Sequence, residues 1–336
     1  MKTKYIVNNL NNQTLQGIEL VGGITNNTAI DSCQSNFIGN FAGQNACNSP
    51  LSNFIGEEAG CGANSTCESN FIGFCAGGDT NNSSQSNFIG PRAGFAACSS
   101  SGSNFIGSFA GRWACDSSFS NFIGEQAGEC ACNSYNSNFI GYFAGCGACN
   151  SFFSNFIGNC AGEFACFSPY SNFIGQCAGQ FAYSSSYSNF IGFCAGRSAC
   201  NSPFSNFIGE RAGQSATGSS FSNFIGIGAG QFAINAYSSN FIGEQAGFQA
   251  CNSCFSNFIG RCAGQGACSC NVNAFGTGAA INNTLNGMTI FSNSTLPSYA
   301  DHAAASAAIT VGNGASIGNT YLYHNQATNS VGTVRL

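Results

Sequence analysis

Cysteine is the residue of this chain best suited to chemistry, and it falls in register. Of twenty-one cysteines, nine share one spacing based on seventeen residues: Cys47, Cys98, Cys115, Cys132, Cys149, Cys166, Cys200, Cys251 and Cys268. Five more share a second column: Cys75, Cys160, Cys177, Cys194 and Cys262. Thiols in such a column can pack as small apolar groups, pair as disulfides between neighbouring units, or hold a soft metal. The ladder Cys98, Cys115, Cys132, Cys149 and Cys166 has five consecutive members, so pairing leaves one over. The same column accepts Asn64, Tyr183, Thr217 and Ile234. That tolerance favours reduced, packed thiols, with inter-unit disulfides and a metal as the alternatives. Neither "CACN" (Cys130–Asn133) nor "CSC" (Cys268–Cys270) has a zinc-ligand spacing.

Other catalytic signals are sparse. The two histidines are His302 and His324. Asp301 and His302 are chain neighbours, which says nothing about triad geometry. Glu57, Glu58 and Glu125 could hydrolyse a glycosidic bond if two carboxylates met, but nothing marks such a pair. "GNGASIG" (Gly312–Gly318) lacks the strand-to-helix context and the lysine of a phosphate loop. The chain therefore reads as no enzyme, with no catalytic residues, no cofactor and no metal. Charged residues make up only 6%, and the net charge is −5. No basic patch suits a nucleic-acid backbone. No apolar run approaches the roughly 18 residues of a membrane-spanning helix. "MKTKYIVNNLNNQTLQG" lacks the apolar core of a secretory signal, so synthesis and folding in a cytoplasm are expected.

The elements that position these residues follow from a repeat. "SNFIG" begins at residues 35, 52, 69, 86, 103, 120, 137, 154, 171, 188, 205, 222, 239 and 256 without a slip. The unit is SNFIG-x-x-A-G-x-x-A-C-x-S-x-x, with Thr80 the one exception at its second alanine. A period that never drifts means that each unit occupies an equivalent place in a stack. Seventeen residues are too few for a helix pair, and glycines at the fifth and ninth positions disfavour a long helix. Phe and Ile favour strands, while Gly, Asn and Ser favour turns.

The expected fold is all-β: a parallel β-solenoid, or β-roll, of about fourteen 17-residue coils spanning 35–272. Exposed strand edges at its ends need covers. Residues 1–34, with "KYIVNN" and "GIELVGGI", read as a two-strand cap or attachment segment, and 273–336 as a C-terminal cap. In that cap the decayed repeat "NAFGT" is followed by a strand at "MTIFSN", a short helix at "SYADHAAASAAI" and a hairpin at "NTYLYHNQATNSVGTVRL".

Phe and Ile of each pentapeptide are adjacent, so on a strand they face opposite ways. An outward Phe column would expose an apolar stripe larger than soluble monomers carry, and another copy of the chain would cover it. This reading makes an interface of Phe37, Phe54, Phe71, Phe88, Phe105, Phe122, Phe139, Phe156, Phe173, Phe190, Phe207, Phe224, Phe241 and Phe258. The alternative is a bulge beside the glycine that turns both residues inward. The asparagine column (Asn36, Asn53, Asn70 onward) suits an amide ladder along the stack, more than a ligand-binding stripe.

At this level the chain resembles a known group. "SNFIGxxAGxxA", over residues 35 to about 276, resembles the "NTFIGxxAG" repeats of phage and virus fibre proteins. It resembles more loosely the "SxAIG" repeats of YadA-type trimeric adhesin heads, which are left-handed β-rolls; the period here departs from theirs. The ending also resembles the "YADDAAA…VRL" termini of phage and marine viral virion proteins. Tyr299-Ala300-Asp301, Ala303-Ala304-Ala305, Tyr321-Leu322-Tyr323 and Val334-Arg335-Leu336 carry that match. The resemblance implies a structural fibre or spike component of a virion, made in a host cytoplasm. It would be a homotrimer that contacts other virion proteins, and a host surface glycan is compatible with it. The alternative is a glycan- or ice-binding solenoid or adhesin at a cell surface.

Overall fold

The computed structural model describes residues 20–21, 29–32, 34–287, 289–291, 298–299, 303–304, 320–325, 327–328 and 330–335. The chain is all-β apart from Ala303 and Ala304, the only helical residues among those described. It divides into two compact units, Met1–Ser186 and Tyr187–Leu336. Both are parallel β-solenoids with seventeen residues per turn over the pentapeptide repeats, as the period requires.

In the first unit every coil contributes one three-residue strand, from Asn36–Ile38 to Asn172–Ile174. Each pairs in parallel with the next, Asn on Asn, Phe on Phe and Ile on Ile. Leu20–Val21 pairs in parallel with Phe37 and Ile38. "KYIVNN" lies outside the described residues. In the second unit the same ladder runs from Asn189–Ile191 to Asn257–Ile259. It does not stop where the pentapeptide does. Asn273–Phe275 and Thr289–Phe291 add two strands in register, each sixteen residues after its predecessor. Thr320–Asn325 and Ser330–Arg335 form the expected antiparallel hairpin. Ser298–Tyr299, expected to open a helix, is instead a short strand parallel to His324–Asn325, where an edge of the hairpin offers it backbone partners.

The interior is one phenylalanine wide. Phe54 through Phe258 are fully buried within the single chain, and neighbouring rings of the first unit stack at 4.7–4.9 Å. The expectation of an interface at Phe37, Phe54, Phe71, Phe88, Phe105, Phe122, Phe139, Phe156, Phe173, Phe190, Phe207, Phe224, Phe241 and Phe258 is thus corrected: these rings face the coil interior. The isoleucines face out, with Ile157 37% exposed, so the bulge that buries both is excluded as well. The reason lies in the ninth residue of the unit. A Cβ built on Gly162 would overlap the Phe156 ring, so the ring fills the space that this glycine leaves. Ala161 and Ala165 close the remaining interior beside it.

Serine shares that interior. Ser154 is buried two residues before Phe156, on the same strand face. Its hydroxyl donates to the Ser168 carbonyl at 3.3 Å and accepts from the Ser171 amide at 3.1 Å. Ser151 does the same for the second serine column, accepting from the Ser168 amide at 3.3 Å. Each buried hydroxyl is therefore satisfied by the coil above it, which removes the cost of burying it.

The turns are strained one residue at a time and held between coils. Phe143, Gly147, Asn150 and Phe153 all have φ of 50–67°. Left-handed backbone costs a non-glycine residue about 1–2 kcal/mol. Here each such residue donates its amide to the coil below: Phe143 to Glu125, Gly147 to Glu129, Asn150 to Cys132 and Phe153 to Tyr135, at 2.7–3.0 Å. Intervening residues bond to the coil above, as Gly145 does to Ala161 at 2.8 Å. Neighbouring coils are thus needed for the geometry of each turn.

Two substitutions separate the faces. Phe156→Ala should destabilise the protein by about 3–5 kcal/mol through the cavity it opens. Ile157→Ser, on the outer face, should change the stability of the isolated chain by about 0.5 kcal/mol or less. Chemical denaturation of the dispersed chain measures both, and a larger loss at Ile157 would reverse the assignment of faces.

Candidate functional site

With Phe, Ala and Ser inside, chemistry is left to the outward columns. The asparagine ladder is present: Asn36 Nδ2 donates to Asn53 Oδ1 at 2.7 Å, and Asn155 to Asn172 at 2.7 Å. Its amides are spent on one another along the strands, which stabilises the stack and fixes the side chains.

The cysteine ladder is also in register. Cys98, Cys115, Cys132, Cys149 and Cys166 oppose one another in successive parallel bridges and are half-buried. Cys98 Sγ lies 2.7 Å from Cys115 Sγ with no disulfide between them. Burial, then the Cys98 thiol and Asp116, push the Cys115 thiol up to about 12. Burial and Cys149 push Cys132 up to about 11. Such thiols stay protonated at neutral pH and are poor nucleophiles. Sixteen of the described cysteines are unbridged, while Cys251–Cys268 and Cys254–Cys270 are disulfides in the second unit. The former joins the same column across one coil, with Cα atoms 4.6 Å apart. The ladder geometry therefore admits both states. Among the described residues, no three His, Cys, Asp or Glu side chains are placed to hold a metal.

The expected acids are dispersed. Glu57 and Glu125 are exposed and separate. His324 sits in the C-terminal hairpin opposite Val331. Asp301, His302 and "GNGASIG" lie outside the described residues.

One cluster in the first unit brings chemically able side chains together. Glu58, Cys75, Arg92, Phe95, Arg112 and Trp113 line a groove of about 380 Å³. Glu58, Cys75 and Arg92 are seventeen residues apart, at the same position of three coils. Their left-handed φ values of 55°, 49° and 54° aim them alike. Cys75 Sγ donates to Glu58 Oε2 at 2.9 Å. Burial, then the bond to Glu58 and its charge, push the Cys75 thiol up to about 12, against the opposing pull of Arg92. Arg112 pairs with Glu129, its Nε 2.9 Å from Oε1. Its guanidinium lies over Trp113 and Phe109, at 4.0 and 4.5 Å from the ring centroids. Arg92 lies between Phe74 and Phe109, at 5.9 and 5.7 Å. The groove escaped the reading of the sequence, although the spacing of Glu58, Cys75 and Arg92 carried the signal.

No protein-family model matches this chain, and no curated protein matches it.

The raised thiols give a pH dependence with a defined sign. Above about pH 9 an unfolded thiol loses its proton while the folded Cys75, Cys115 and Cys146, each near 12, keep theirs. The unfolded state then binds fewer protons, so stability should be retained below pH 9 and fall as pH rises towards 12. Iodoacetamide labelling of native protein at pH 8, read by peptide mass spectrometry, should be slow at Cys75 and fast after unfolding. Fast native labelling at Cys75 would contradict its placement.

Proposed function

We propose that the chain is a structural component of a fibre or spike of a phage or virus particle. The observation that carries this reading is the continuity of the stack within each unit. Every coil is joined to its neighbours by strand pairing, amide bonds from the turns, an asparagine ladder and stacked rings. Such a body resists local opening, because no coil can loosen without unpairing those on either side. That is the property required of a stiff spacer, and the resemblances at the pentapeptide and the C-terminus point the same way. The chain acts without catalysis or cofactor, in contact with itself and with other particle proteins.

The inward turn of phenylalanine changes how copies would associate. The regular apolar stripe left outside is isoleucine: Ile72, Ile89, Ile106, Ile123, Ile140, Ile157 and Ile174 are each 37–38% exposed. A homotrimer would bury this column at its common axis, flanked by the asparagine ladder. A surface-attached, ligand-binding solenoid is the second reading, and the groove at Arg92 favours it.

Two measurements test the proposal. The native protein should have the mass of a trimer by light scattering. Exchange of Ile140, Ile157 and Ile174 to Glu should yield folded monomers with an unchanged β-type circular dichroism spectrum. Antibody raised against the protein should label appendages of purified particles. A monomeric wild type removes the trimer, and labelling confined to cell surfaces removes the virion assignment.

A further inference from the structure

Between Lys4 and Arg197 the sequence holds only two basic residues, Arg92 and Arg112. Both face one groove, beside the chain's single tryptophan. Arg112 is engaged by Glu129. Arg92 has no carboxylate within ion-pair range among the described residues. A guanidinium held between two aromatic rings keeps its charge and its planar fork of donors. The group that best matches that fork is a carboxylate or a similar oxyanion.

The surroundings restrict the anion. Glu58 lines the same groove, and Glu129 lies beside Arg112. Arg112 and Glu129 neutralise one another, so Arg92 and Glu58 leave the groove without net charge, which admits a single negative charge on Arg92 and disfavours a polyphosphate backbone. Glu58 also accepts hydrogen bonds: Cys75 occupies Oε2, and a ligand hydroxyl can donate to the carboxylate as well. Trp113 is 49% exposed and adds an apolar ring surface. A ligand with one carboxylate, several hydroxyls and an apolar ring face satisfies all three features. A groove of about 380 Å³ is within the range of small-molecule sites, about 300–1,000 Å³.

We infer that the groove of Glu58, Cys75, Arg92, Phe95, Arg112 and Trp113 binds a carboxylated sugar residue, with its carboxylate on Arg92 and its ring against Trp113. The inference does not rest on the fibre reading, since a virion protein can also carry such a groove.

Trp113 is the only tryptophan, so fluorescence excited selectively at tryptophan reports on this groove alone. The full chain would be titrated with glucuronate, galacturonate and N-acetylneuraminate, and with glucose, inorganic phosphate and a glutamate-rich peptide for comparison. At least one acidic sugar should give a saturable change, with a dissociation constant on the order of 1 mM or tighter. Glucose should not. Arg92→Ala should weaken binding about tenfold or more, and Arg92→Lys should weaken it less. Both variants should keep the wild-type circular dichroism spectrum, and Arg261→Ala in the other unit should bind as wild type. Any of four results overturns the inference: no saturable response to an acidic sugar, an equal response to glucose, undiminished binding by Arg92→Ala, or tighter binding of phosphate or the acidic peptide.

Discussion

One ring per coil must meet the next at the spacing set by strand pairing. Parallel strands lie about 4.8 Å apart. Phe139 and Phe156 stack at 4.8 Å between centroids, with planes 4° apart. Each such stack adds about 0.5–1.5 kcal/mol beyond burial. The other unvarying positions follow from that ring. Glycine at the ninth position leaves the volume for it, alanines at the eighth and twelfth close the cross-section, and serines bond the coil above. Variation falls mostly on the residues that point outward, where the ladder thiols and the Arg92 groove are found, while the buried exceptions Thr66, Thr80 and Ala236 stay small.

The same spacing explains how the backbone tolerates so many left-handed residues. Phe143, Asn150 and Phe153 would each be unfavourable in a free turn, yet each sends its amide to the carbonyl of the coil below. The strain and the bonds that offset it therefore belong to different coils, and a single coil cannot keep its shape alone. This couples stability to neighbours and accounts for a period that does not slip across fourteen pentapeptides. It also leaves the surface free to carry binding groups, since an outward side chain at the seventh position can change from Glu58 to Cys75 to Arg92 without altering the turn beneath it.

Much of this was legible in the sequence. The period and the turn residues led to the parallel solenoid, and the asparagine column to its ladder. The side on which phenylalanine lies was not legible from adjacency, because the alternation of a strand separates Phe from Ile without saying which is inside. The deciding signal was Ser154, which shares a face with Phe156. A serine column argues for solvent until its hydroxyls are seen to bond the next coil. The Arg92 groove had its signal in the spacing of Glu58, Cys75 and Arg92. That Arg112 would be neutralised and Arg92 would not depends on Glu129, one coil further on, and only the structure shows it.

Amide hydrogen exchange tests the central claim, that turns as well as strands are held by the neighbouring coil. The amides of Phe143, Gly147, Asn150 and Phe153 should be protected to nearly the same degree as those of the strand Asn155–Ile157, because each is bonded to the coil below. Turn amides that exchange as freely as a surface loop, beside protected strands, would contradict the account.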